Sequence, residues 1–210
     1  METFQPTNQS QSTGTRLRDH IVFIFSIVGM LWLIELIDLI PMFDLERIGA
    51  IYPREPSGLI GIPLAPFLHG DWAHLMTNTV PFLVLGSLVI VTSGRQRFVG
   101  VSAIIAVVAG LGTWTFAKGG YHIGASSLIF GYLGFLLWRA WLGRNFGWTI
   151  IAVIAGFLYG RIIISLFSAQ AGISWSGHFF GLLGGIVAAF VYTPKPPEPT
   201  TDPLAEFSTK

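Results

Sequence analysis

Ser126 and His178 lie just inside the starts of two separate apolar runs of about twenty residues, and a third such run opens with His74 and Asn78. Polar groups at that depth in a bilayer cost roughly a few kcal/mol each on insertion scales, so by default they mark a functional site. A serine, two histidines and an asparagine at one level are the parts that acyl transfer needs: a hydroxyl nucleophile, an imidazole base, and donors for an oxyanion. The chain has no cysteine. The nucleophile is therefore an oxygen or an amine, and neither a disulfide framework nor a thiolate metal site is available.

The spacing around these residues says how they could meet. Gly124 and Ala125 lead the chain tightly into a helix whose first turn exposes Ser126, with Ser127, Gly131 and Gly134 on one small-residue face. In the last apolar run Gly177, Gly181 and Gly185 recur every four residues, and His178 shares a face with Gly181 and Gly185. Glycine-lined contact between these helices would bring His178 within hydrogen-bond reach of Ser126, as a base that takes the hydroxyl proton. No aspartate is placed to orient this histidine, so a dyad is expected rather than a triad. His74 and Asn78, at i and i+4, point toward the same cavity and, with the backbone N–H of Ser126, would make a three-donor oxyanion hole. His69, five residues earlier, supports that shell or binds the preceding loop down. Taken singly, each residue has a plainer reading as helix packing or a structural hydrogen bond. Their conjunction, in order and at one level, carries the claim.

Other polar residues in or near apolar runs are weaker candidates. Glu35 and Asp38 are assigned a structural or partner-pairing role, and Arg161 either pairs with Glu35 or snorkels. His122 and Lys118, flanking the nucleophile loop, are expected to be solvated, and His20 to be cytoplasmic. Pro81 should kink its helix just below Asn78.

The elements that must position these groups follow from composition. The 210 residues are 52% hydrophobic and 11% charged, far from the roughly 25% charge of soluble domains, which makes this an all-α, polytopic membrane protein. Six runs can span a bilayer, at about 20 to 40, 74 to 93, 98 to 117, 126 to 142, 148 to 168 and 175 to 192. The first reads as an uncleaved anchor. With the N-terminus in the cytoplasm, the inner segments hold Arg16, Arg18, Arg95, Arg97, Arg139, Arg144, Lys195 and Lys210, against Arg47, Arg54 and Lys118 outside. That bias puts both termini in the cytoplasm and His74, Asn78, Ser126 and His178 near the outer face. Residues 19–192 then form one six-helix domain, whose long outer loop, 41–73, reads as a lid or lateral wall. The segments 1–18 and the proline-rich 193–210 are expected to be disordered tails. Scattered cations form no patch, so nucleic acid is not a partner.

At these residues the sequence resembles the rhomboid intramembrane serine proteases. Three motifs in family order carry the resemblance: His69-x4-His74-x3-Asn78; Gly124-Ala125-Ser126 with Phe130 and Gly131; and Gly177-His178-x2-Gly181-x3-Gly185. It implies a six-transmembrane-helix rhomboid-like bundle with Ser126 as nucleophile, His178 as base, His74 and Asn78 on the oxyanion, and Phe130 against the base histidine. It also implies substrates that are transmembrane proteins, entering laterally between the second and fifth helices from the lipid bilayer, and no requirement for metal, cofactor or ATP. Short loops and the lack of a transit peptide favour a bacterial inner membrane. Two features depart from the family. Ser127 stands where glycine usually follows the nucleophile, and residues 41–71 lack the tryptophan-arginine pair common in the first outer loop. Two alternatives stay open: a non-catalytic rhomboid-like pseudoprotease that binds client transmembrane helices, and a haem or metal protein using His69, His74, His122 and His178 as ligands.

Overall fold

The computed structural model describes residues 13–40, 42–143, 146–164 and 174–192. Among these the chain is helical, with an isolated antiparallel bridge between Ile51 and His122 and no strand. In order come α1 (Thr13–Asp38), α2 (Leu45–Gly49), a 3-10 turn (Pro56–Ile60), α3 (Gly61–Leu64), a second 3-10 turn (Ala65–Phe67), α4 (Trp72–Ser93), α5 (Arg95–Phe116), α6 (Ser126–Gly143), α7 (Phe146–Ile164) and α8 (Trp175–Tyr192).

Four of these, Arg16–Asp38, Trp72–Ser93, Arg95–Phe116 and Trp175–Tyr192, are long and apolar enough to cross a membrane. Expected spans four and five correspond to α6 and α7, which do not reach that standard over their described residues. For α6 the reason is its position. It packs most extensively against α8 and also touches α4, α5 and α7, and it buries Leu128, Phe130, Tyr132, Leu133, Phe135 and Leu136. A helix surrounded by protein can carry Ser126, Ser127, Gly131, Gly134 and Arg139 without exposing them to lipid. By contrast α1 shows Val22, Phe25, Leu33 and Leu36 on its outer surface, as a lipid-facing helix should.

Glycine sets the helix separations at the centre. A Cβ on Gly185 would run into the carbonyl oxygen of Gly131 and one on Gly181 into that of Ser127, so α8 lies backbone to backbone on α6. The α6 face is more divided than the spacing suggested. Gly134 meets Leu182 of α8, whereas the open side of Gly131 receives Ile105 of α5. Gly177 faces Ser174 and Thr113 rather than α6.

Several expectations about the ends and connections need correction. Helix α1 begins at Thr13, so residues 13–18, assigned to a disordered tail, are helical. Arg16, Leu17 and Arg18 are good helix formers, and a helix need not stop where apolarity does. Residues 1–12, 165–168 and 193–210 lie outside the described residues. Over residues 42–73 the long connection, expected to be a lid or lateral wall, is folded into short helical pieces. The Arg54 guanidinium donates to the carbonyls of Thr115 and Ala117 (3.2 and 2.8 Å), and Trp114 Nε1 donates to the Glu55 carbonyl at 2.8 Å. The wall is thereby strapped to the C-terminal end of α5, where carbonyls lack helical partners. Arg139, counted among the inner cations, is buried. Its Nη1 donates to the Tyr192 carbonyl at 2.8 Å and its guanidinium lies over Trp148. Asp38 accepts from the Leu45 N–H and holds the start of α2, in keeping with a structural role. Glu35 is buried; the side chain of Arg161 lies outside the described residues.

Candidate active site

The site begins with a cap. Asp71 accepts the N–H of His74 at 2.7 Å and starts α4, as an N-cap carboxylate does. His74 is thereby held half-buried in the first turn, with Asn78 one turn below it. Pro81, inside α4, supplies no N–H to the Thr77 carbonyl. The Asn78 amide donates to the His74 carbonyl at 3.1 Å, which occupies one of its two N–H groups and leaves the other for a ligand.

Gly124 brings α4 and α6 together. It has φ +112°, a conformation glycine adopts at little cost, and a Cβ there would sit 2.8 Å from His74 Nε2 and 3.8 Å from Ser126 Oγ. The missing side chain is the space through which the His74 ring reaches the neighbourhood of the serine. From the other side the close α6–α8 contact delivers His178, whose Nε2 is 3.0 Å from Ser126 Oγ. The His178 ring stacks on Phe130, 4.1 Å between centroids and 14° between planes. Its Nδ1 is buried without a partner among the described residues. The ring's plane is set by an aromatic neighbour, and among the described residues no carboxylate bonds its Nδ1.

Ser126, His74, Asn78, Phe130 and His178 all line one open cavity of about 880 Å³, with Asp71 and Lys118 also on its wall. As the first residue of α6, Ser126 has a backbone N–H with no carbonyl a turn behind it in the helix, and such an N–H can bind an anion. Ser127, which stands where the family usually has glycine, fits at the helix contact. Gly181 meets its backbone carbonyl, while the residue itself lines a second cavity of about 20 Å³.

His69 is almost fully buried. Its Nε2 accepts the Ala125 N–H at 3.4 Å, and its ring meets that of His74 edge to face at 5.1 Å. It thus ties the end of the wall to the residue before Ser126. Burial, and then the neighbouring His74, push its pKa from 6.5 down to about 3. The unfolded chain therefore takes up this proton first. The stability contributed by the neutral ring is complete above about pH 6.5 and is lost progressively toward pH 3. In detergent melts, the wild type should lose melting temperature relative to His69→Gln across that window. Parallel curves would contradict the assignment.

One expectation fails here. His122 is half-buried rather than solvated, and its Nδ1 is 2.8 Å from Ser174 Oγ. Nothing in the spacing of two residues 52 positions apart signals this pair. Lys118 is exposed, as expected. Among the described residues no group of three or more His, Cys, Asp or Glu side chains is arranged to hold a metal ion, so the metal reading of the histidines finds no ligand cluster.

This is a helical bundle with apolar, membrane-crossing helices and a serine-histidine pair in an open cavity. A family profile described as the Rhomboid domain matches residues 56–195. An uncharacterized protein of Mycobacterium tuberculosis, Rv1337, is 42% identical over 178 residues, covering 80% of this chain and 73% of its own length. The rhomboid protease GluP of Bacillus subtilis is 33% identical over 128 residues, 58% of this chain and 24% of GluP. YdcA of the same organism, provisionally named a rhomboid protease, is 26% identical over 87% of this chain and 93% of its own. The chain belongs to the rhomboid family and is an integral membrane protein.

Proposed function

We propose that this protein is an intramembrane serine endopeptidase that hydrolyses peptide bonds in or beside the transmembrane segments of other membrane proteins. The observation that carries the reading is the 3.0 Å approach of His178 Nε2 to Ser126 Oγ at the wall of an open cavity. As Ser126 Oγ attacks the scissile carbonyl, His178 takes its proton. The resulting imidazolium, stacked on Phe130, then protonates the leaving amine. Water hydrolyses the acyl-serine ester with the same imidazole as base. The tetrahedral oxyanion is held by His74, the second amide N–H of Asn78 and the N–H of Ser126. Gly124, Gly181 and Gly185 permit the approach, and His69 supports the shell.

In this reading six helices span the bilayer, α6 and α7 among them, with both termini in the cytoplasm of a bacterium and the cavity facing outward. Client helices arrive laterally. Gly or Pro near the cut favours cleavage, because an intact helix ties up its carbonyls. Both dyad groups are present and in reach, which favours an enzyme over a non-catalytic binder of client helices.

The test is cleavage of a panel of single-pass substrates co-reconstituted in liposomes, with the cut mapped by mass spectrometry. Cuts near the outer end of the substrate helix are expected. A correctly folded protein that cuts none of them would contradict the reading. In the same assay His74→Ala should lower kcat by about 10² to 10³, the usual cost of one oxyanion donor, with KM little changed. An unaltered kcat would remove His74 from the oxyanion site.

A further inference from the structure

We propose that His122 is a positioning residue which, through Ser174, holds the chain leading to Ser126 against the start of α8 at the separation the Ser126–His178 pair requires. The proposal rests on the proteolytic reading above for its consequence, but its geometry stands separately. His122 is four residues before Ser126, and Ser174 is four residues before His178. The same two chain segments are thus joined by two serine-histidine rungs: His122 Nδ1 to Ser174 Oγ at 2.8 Å, and Ser126 Oγ to His178 Nε2 at 3.0 Å.

Both ends of the first rung are anchored. The backbone N–H and carbonyl of His122 pair with those of Ile51, each at 3.0 Å, and the Gly124 N–H donates to the Ala65 carbonyl at 2.8 Å. The nucleophile loop is therefore fixed to the folded wall on one side. On the other, Ser174 caps α8. Its Oγ accepts the Gly177 N–H at 3.2 Å and its carbonyl accepts the His178 N–H at 3.1 Å. The helix turn that carries the base is thus seated on the residue that His122 grips.

The chemistry of the rung is consistent. With its oxygen accepting from Gly177, the Ser174 hydroxyl is free to donate its proton to His122 Nδ1. Ser176 Oγ, the other neighbour, is farther away at 3.4 Å. Burial lowers the His122 pKa, so at pH 7 the ring is neutral and able to accept. A reacting pair misplaced by about 1 Å can lose on the order of a hundredfold in rate, which gives a second rung functional weight.

The experiment compares His122→Phe, His122→Asn, Ser174→Ala, Ser174→Thr and the double variant His122→Phe/Ser174→Ala. It reads the rate of Ser126 modification by a fluorophosphonate, kcat and KM on a liposomal substrate, and melting temperature. His122→Phe keeps the ring and loses the nitrogen. It should slow labelling and lower kcat by about tenfold, the worth of one hydrogen bond, at unchanged KM. His122→Asn, which places a polar atom near the Nδ1 position, and Ser174→Thr, which keeps the hydroxyl, should recover most of that loss. The double variant should be no worse than Ser174→Ala alone, in rate and in melting temperature. Wild-type labelling and kcat in His122→Phe, no recovery in either conservative variant, or costs that simply add would overturn the proposal. The melting cycle needs no turnover. It decides the rung even if the wild type neither labels nor cuts, an outcome that would count against the proteolytic reading instead.

Discussion

Ser126→Ala is expected to lower turnover by about 10⁴ to 10⁶, because a nucleophile that acts as one unit with its base carries nearly the whole covalent route. The change removes one oxygen from a half-buried residue at a helix start and leaves the glycine contacts of α6 with α8 untouched. Melting temperature should therefore stay within a few degrees of wild type. Cleavage rates in liposomes, measured beside melts of the same preparations, check both halves. Ser126→Ala that still turns over at a tenth of the normal rate would mean that another group attacks the substrate.

The second large effect concerns packing. Gly185→Leu should abolish activity and strongly destabilise the bundle. A Cβ at this position would run into the Gly131 carbonyl oxygen and come within 2.8 Å of the Phe135 nitrogen. Both are helix backbone, which cannot rotate away as a side chain can. Overpacking of this kind costs typically 1 to 3 kcal/mol even where neighbours relax, and here the relaxation is separation of α8 from α6. Since α8 carries His178 two turns away from Gly185, a shift of 1 Å would also break the dyad. Gly29 of α1 is the control. Among the described residues nothing lies within 4 Å of its missing Cβ, so Gly29→Ala should be neutral or stabilising by about 0.5 to 1 kcal/mol, as for glycine in any helix interior. Melting temperature and cleavage of the two variants, side by side, check the contrast. Equal behaviour would show that glycine at position 185 is not needed for contact.

Much of this is legible in the sequence. Long apolar runs announce helices, and glycine at four-residue spacing beside His178 announces a close helix partner. The order of His74, Ser126 and His178 along alternating runs brings them to one end of the bundle. Three things were hidden, each for a physical reason. The segment 41–73 has no apolar period, because its fold depends on close backbone approach, Gly58 on Tyr52 and Gly61 on Ala50, and on Arg54 and Trp114 binding carbonyls. Arg139 looked like a cytoplasmic loop charge, since sequence does not show that α6 is enclosed and that a buried guanidinium can hold the C-terminal carbonyl of α8. The pairing of His122 with Ser174 was invisible because the two lie in separate connections, far apart in sequence. Only the seating of α8 on the nucleophile loop makes them neighbours. Asp71 was the missed local signal. An aspartate three residues before His74 is an N-cap pattern, and it sets where the histidine stands.

The proposed function requires that His178 activate the Ser126 hydroxyl. The most direct measurement is covalent labelling of the purified protein by a fluorophosphonate in detergent or liposomes, with the modified residue mapped by mass spectrometry. Label is expected on Ser126, lost in Ser126→Ala and in His178→Ala and retained in Ser127→Ala. Label on Ser127 or Ser174, or label on Ser126 undiminished in His178→Ala, would contradict it.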